Sequence, residues 1–178
     1  MTLVKLYIDW ASQPSRAVVA FCEIHKVKFV VKETRLFKEE EHAPEYVKNI
    51  NPAGQVPAMQ EIDEQTGQVL FTLAESCAIM RYLVLSRGID THWYPIADHQ
   101  KRAKIDSWLD WHHNWLRNGL SNYLVKKLYG KCIYGKPFSE DVLQVYWRLL
   151  ISSLKFLEAE LADKKFLGGF EEPTIADL

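Results

Sequence analysis

The sequence predicts an α/β domain followed by an all-α domain, and three observations carry that reading. Strand-like and helix-like patterns alternate up to about Ser86. Gly88 to Asp98 then brings Gly, Asp, Thr and Pro with little periodicity. From His99 onward, apolar residues recur only at helical spacing. A length of 178 residues with 48% hydrophobic content can support one domain or two small ones with a proper core. The boundaries fall at 1–87 for the α/β domain, 88–98 for the linker and 99–178 for the helical domain.

Val4, Leu6 and Ile8 alternate with Lys5 and Tyr7, which predicts a strand. Ser12 is a good N-cap and Pro14 suits a first helical turn, so a helix runs through Ala17, Val18, Phe21, Cys22 and Ile24 to about His25. Phe29 to Thr34 forms a second strand, and strand–helix–strand requires a right-handed parallel crossover. Polar residues from Glu39 to His42, followed by Pro44, leave room only for a short helix, Pro44 to Asn49. A loop with two prolines, Asn51 to Ala58, leads into a hairpin of Ala58–Ile62 and Val69–Leu73 that turns at Thr66-Gly67. Glu75 to about Ser86 is a helix with Ala78, Ile79, Tyr82 and Leu83 on one face. The order βαβαββα gives a mixed four-stranded sheet.

The second half reads as a helix from His99 to about Leu128, with Ile105, Trp108, Leu109, Trp111, Trp115 and Leu116 at helical spacing. The tryptophans suit an interdomain core better than a cofactor box, and they can also wall an apolar pocket. Ser139 caps a second helix, with Glu140 and Asp141 in its positive first turn and a stripe of Val142, Val145, Leu149, Phe156 and Leu161. At the end of the chain, Thr174 can cap a helix while Asp177 reaches back to the Thr174 N–H, an aspartate version of the capping box. The apolar pattern that Ile175 and Leu178 begin does not continue, so we expect a chain that stops before its natural end and a truncated helical domain.

Several function classes are disfavoured. Net charge is −1 with scattered lysines and arginines, so nucleic acid is not an expected partner. No apolar run is long enough to cross a membrane, and no signal-type segment follows Met1. His112-His113 lacks the spacing of a helical zinc pair, and no Gly-rich phosphate loop exists, so neither a metal nor a nucleotide is expected. The cysteines Cys22, Cys77 and Cys132 form no metal or redox spacing; they suit buried thiols in a reducing, cytoplasmic compartment.

Chemistry concentrates in the first domain. A cis Val56–Pro57 bond at the strand entry would present the Val56 N–H and C=O to a peptide-like ligand. Ser12, at a helix N-terminus, can donate a hydrogen bond to a thiolate and lower the thiol's pKa. Ser76 can bind a ligand carboxylate while Glu75 accepts from an ammonium group. From spacing alone Ser12, Glu75 and Ser76 read more readily as plain helix caps, and His42 as an ordinary loop histidine.

Six stretches in register then resemble one family, the cytosolic glutathione transferases, and most closely their theta class. They are Ser12 to Val18, Asn51-Pro-x-Gly-x-Val-Pro57, Glu75-Ser76, Trp93-Tyr94-Pro95, Arg102-Ala103 with Trp111, and Thr174 to Leu178. The resemblance implies a thioredoxin-like N-terminal domain that binds glutathione, a helical domain that takes a hydrophobic electrophile, and a homodimer. It implies that Ser12 stabilises the glutathione thiolate, that His42 reaches the glycine end, and that Val56 pairs with the cysteinyl backbone before cis-Pro57. Glu75 and Ser76 would hold the γ-glutamyl end, and Trp10, Trp111, Asn114, Trp115 and Arg117 would lie at the electrophile pocket. Two departures stand out: Gln55 occupies a position where the family usually has lysine, and Asn114 one where some theta members are acidic. The alternatives are a non-catalytic transferase-like binding or scaffold module and a glutathione-dependent peroxidase, reductase or lyase.

Overall fold

Alternation of apolar and polar residues builds the first strand. In the computed structural model, which describes residues 2–131 and 135–178, β1 (Thr2–Ile8) buries Val4, Leu6 and Ile8 completely. Ser12 caps α1 (Gln13–Ile24), with Pro14 in its first turn. β2 (Phe29–Glu33) returns parallel to β1, then α2 (Pro44–Asn49) follows. β3 (Ala58–Asp63) and β4 (Val69–Ala74) form the antiparallel hairpin, and α3 (Ser76–Ser86) comes after them. The strand order β2-β1-β3-β4 is the expected mixed four-stranded sheet.

The two sheet faces differ in what covers them. One carries Val4, Leu6, Ile8 and Met59 under the buried residues of α1 (Val18, Phe21, Cys22) and α3 (Ile79, Leu83). Glu61 on this face accepts from Tyr82 Oη at 2.7 Å and pairs with Arg87, which ties β3 to the end of α3. On the other face Tyr7 is also buried, because α2 lies over it and sets Tyr46 edge-on to its ring at 5.9 Å. Tyr7 Oη donates to Gln60 Oε1 at 2.8 Å, and Gln60 Nε2 donates to the Asn49 carbonyl at 3.2 Å, so α2 is anchored to the sheet.

The chain divides into two compact units, Met1–Tyr94 together with Leu178, and Pro95–Asp177. Trp93, placed in the linker by its surroundings in the sequence, is buried in the first unit against Phe21 and His25. Cys22 and Cys77 are buried, while Cys132 lies outside the described residues.

In the second unit the long helix is not uniform. α4 (His99–Trp111) and α5 (Arg117–Leu124) are joined by a π-helical turn, His112–Leu116, and a second such turn spans Val125–Tyr129. α6 (Glu140–Leu161) packs along α5 where Gly119 meets the Leu150 backbone. That contact row differs from the expected stripe. Leu143, Leu150 and Ser153 are buried, whereas Val142, Val145, Phe156 and Leu161 are exposed. Ser139 occupies the N-cap position of α6 but makes no side-chain capping bond. Trp108 and Trp111 stack on Phe156 of the same unit, and Trp115 is exposed. Near the C-terminal end Asp177 Oδ2 accepts from the Thr174 N–H at 2.8 Å, and Thr174 Oγ1 accepts from the Ala176 N–H at 3.2 Å. The expected reciprocal box is present and closes a single turn, Ile175–Asp177.

Candidate active site

Strand register gathers the candidates of the first unit. Tyr7 pairs with Ala58, and Ala58 pairs with Ala74, so β1 ends, β3 begins and β4 ends at the same end of the sheet. Ile8 pairs with Glu33, which puts the end of β2 there as well. Four segments leave the sheet at that end: Asp9–Ser12, Thr34–His42, Asn51–Pro57 and Glu75–Ser76. Ser12, His42, Gln55, Val56, Pro57, Glu75 and Ser76 all lie on them. Crevices at the carboxyl ends of strands, where helices also begin, are the usual ligand sites of open α/β sheets.

Ser12 stands at the positive end of α1. Its Oγ accepts from the Ser15 N–H at a long 3.4 Å, and its own O–H donates to nothing among the described residues. A hydroxyl so placed can both cap and donate to an anion. The loop before it is held from several sides. Asp9, nearly buried, accepts from the Ala11 N–H at 2.7 Å through one oxygen and from the Leu36 N–H at 2.8 Å through the other. Arg16 Nη1 donates to the Trp10 carbonyl at 2.6 Å, leaving the Trp10 indole half in solvent. Ser15 is fully buried, with no partner for its Oγ among the described residues.

The proline loop presents bare backbone. Val56–Pro57 is cis, as expected, and neither the Val56 N–H nor its C=O is bonded among the described residues. Gly54, at φ +59°, lets this loop close on the neighbouring segment; a Cβ there would stand 2.6 Å from His42 Nδ1 and 3.3 Å from the Glu41 carbonyl. His42 and Gln55 are exposed, and Pro57 is buried.

Glu75 occupies the N-cap position of α3, yet its side chain makes no capping bond and its φ is +72°, a left-handed value that a non-glycine residue rarely holds. Strained backbone of this kind gathers at ligand sites. The result is an exposed Glu75 carboxylate next to the buried Ser76 that opens the helix.

The helical-unit candidates cluster on the first π turn. Trp111 precedes it in contact with Phe156 at 5.2 Å, Asn114 Nδ2 donates to the Asp110 carbonyl at 3.0 Å, and Arg117, half-buried, follows. Trp115 is exposed on the same turn. His112, also half-buried, has its pKa pushed down to about 4 by burial, then by His113 and Arg117.

Sequence reasoning missed Asp9, Tyr46 and Asn51. Asp9 follows a strand and sits two residues before the amide it accepts from, an Asx-turn signal that could have marked it. Asn51 makes the same kind of turn, its Oδ1 accepting from the Ala53 N–H, and it opens the Asn51–Pro57 motif without having been given a role; Tyr46 carries no such local signal. Among the described residues, no cluster of three or more His, Cys, Asp or Glu could hold a metal ion, and no helix is long and apolar enough to cross a membrane.

Known proteins share this arrangement. The glutathione S-transferase N-terminal domain family matches residues 11–84. Glutathione S-transferase T1 of Arabidopsis thaliana is 40% identical over 100% of this chain and 70% of its own length. Human glutathione S-transferase theta-1 is 34% identical over 98% of this chain and 69% of its own. The crystal structure of human glutathione transferase theta-2, in complex with glutathione and an unknown ligand, superposes with a TM-score of 0.84 at 29% identity, covering 97% of this chain and 67% of that one. With the sheet, its shared end and these relatives together, the chain belongs to the theta class of glutathione S-transferases.

Proposed function

We propose that this chain ionises the thiol of glutathione at Ser12 and directs the thiolate at hydrophobic electrophiles, a detoxification-type conjugation. The observation that carries the reading is the uncommitted Ser12 hydroxyl at the N-terminus of α1, at the sheet end shared with Val56 and Glu75–Ser76. A donor there stabilises the charged form of the thiol and lowers its pKa. The thiol proton passes to solvent, sulfur forms a bond to the electrophilic carbon, and the leaving group departs with its electron pair or, for an epoxide, takes up a proton.

Glutathione is a short peptide with a carboxylate at each end, and the site offers matching chemistry. The free Val56 N–H and C=O suit the cysteinyl backbone, Glu75 and Ser76 the γ-glutamyl end, and His42 and Gln55 the glycine end. Residues 1–87 form the glutathione-binding domain, and residues 99–178 carry the electrophile site, with Trp111, Asn114, Trp115 and Arg117 lining it. The protein works in the cytoplasm as a homodimer and needs no metal.

Ser12→Ala tests the reading. Turnover should fall roughly 10²–10³-fold, the loss of one preorganised donor to an anion. Affinity for glutathione should change little, and the bound thiol should titrate at higher pH. Turnover within a fewfold of the unsubstituted protein would reduce Ser12 to a cap. Neither neighbour offers a ready substitute, since Ser15 is fully buried and Arg16 is engaged with the Trp10 carbonyl.

A further inference from the structure

We infer that Tyr46 and Asn51 are positioning residues for glutathione affinity, acting together through the carbonyl of Gln55 on the Val56 N–H. Tyr46 Oη donates to the Gln55 carbonyl oxygen at 2.8 Å, and Asn51 Nδ2 donates to the same oxygen at 2.9 Å. That carbonyl and the Val56 N–H belong to one planar peptide group, so fixing the oxygen fixes the direction of the N–H. Two hydrogen bonds into the carbonyl also polarise the amide, and its N–H becomes a stronger donor. The Val56 N–H itself is unbonded among the described residues, so the strengthened donor is left for a ligand.

Both donors are rigidly held. Tyr46 is 4% exposed with its ring edge-on to Tyr7, and α2 is tied to the sheet through Gln60 and Asn49. Burial, then the nearby Glu41 and Tyr7, push the Tyr46 phenol above its usual pKa, so it remains a donor throughout the working range of pH. Asn51 is 5% exposed; its Oδ1 accepts from the Ala53 N–H at 3.0 Å and its carbonyl accepts from the Gly54 N–H at 2.9 Å, which orients the amide so that Nδ2 faces Gln55. The two donors fill both acceptor positions of the Gln55 carbonyl, so its direction is fixed from two sides.

The inference rests on the reading that this loop binds the glutathione backbone, and it separates affinity from thiol activation. The probe is S-methylglutathione, which has the peptide backbone but no thiol, measured by calorimetry with the full chain. Tyr46→Phe keeps the ring and removes one donor; binding should weaken roughly two- to tenfold, the worth of one hydrogen bond. Its kcat at saturating glutathione and its pH profile should stay as they are. Asn51→Asp, which turns the second donor into an acceptor facing the carbonyl, should weaken binding in the same direction and stands in should Tyr46→Phe fail to fold. Tyr82→Phe removes a comparable bond to Glu61 on the opposite sheet face and should leave binding unchanged. Unaltered affinity in both Tyr46→Phe and Asn51→Asp, or equal weakening in Tyr82→Phe, would overturn the inference. No binding by the unsubstituted chain would overturn it together with the site reading. Full turnover in Ser12→Ala, with weakened binding in Tyr46→Phe, would sink the Ser12 role and leave this one standing.

Discussion

Asp9 fastens two segments that the chain keeps far apart. Its carboxylate bonds the Ala11 N–H of the Ser12 loop and the Leu36 N–H of the segment leading to His42, a partner 27 positions away. Each oxygen serves one amide, so Asp9→Asn must turn an NH₂ group towards one of two N–H donors. We predict a loss of about 1.5–3 kcal/mol, the range for hydrogen bonds to a charged group, measured by urea unfolding. A midpoint within error of the parent would mean that the two segments hold without it. At Gln55, restoring a lysine should tighten glutathione binding by about 0–1 kcal/mol at low ionic strength, because the side chain is exposed, and the gain should fade with added salt. Unchanged affinity at low salt would place the glycine carboxylate elsewhere. Ser12 was legible in the sequence because cap chemistry is local: the hydroxyl, its first-turn proline and the helix it starts are neighbours. Asp9, Tyr46 and Asn51 were not, because what each does depends on where the fold brings a distant or turned backbone group.

Elements show the same division between local and distant causes. The strands of the sheet were legible because their period of two is written residue by residue, and the parallel crossover follows from chain order. The face that α6 buries was not, because Gly119 decides it. A Cβ on Gly119 would stand 2.6 Å from the Leu150 nitrogen and 2.9 Å from its Cα, so the close crossing turns Leu143, Leu150 and Ser153 inward instead of the neighbouring row. Gly119→Ala gains up to about 1 kcal/mol in helix propensity. Against backbone that cannot step aside, overpacking costs about 1–3 kcal/mol, so the midpoint of thermal unfolding should fall. A rise would show that α5 and α6 stand farther apart. The π turn between α4 and α5 makes a second prediction. Since the folded His112 pKa lies near 4 and its usual value is 6.5, the unfolded chain takes up this proton first as pH falls. Stability should therefore decline from about pH 6.5 towards pH 4 and be unaffected by this group above that window. His112→Asn should flatten part of that slope in denaturant titrations at several pH values. Some slope should persist, because burial and His92 also lower the His25 pKa. An identical slope would clear His112 of the effect.

For the whole molecule, six separated motifs made the family legible, while the surfaces between them carry no motif and were read only as composition. Those surfaces are where self-association would be decided. The edge strand β4 exposes Val69, Leu70 and Phe71, and α6 exposes Val142, Val145, Trp147 and Leu154. Contiguous exposed apolar patches mark contact surfaces, and these residues are candidates to contribute to one. With 22 basic and 23 acidic residues, the net charge of −1 offers almost no repulsion between copies. A twofold contact uses the same patch on both chains, so one apolar surface is enough to close a dimer and stop there. The homodimer proposed here should therefore sediment at twice the 20.7 kDa chain mass at micromolar concentration. If burial rather than charge drives the proposed contact, raising the salt should leave that species intact, whereas dilution should dissociate it. A single 20.7 kDa species at micromolar concentration would contradict the dimer, and dissociation by salt alone would assign the contact to ion pairs instead of these apolar residues.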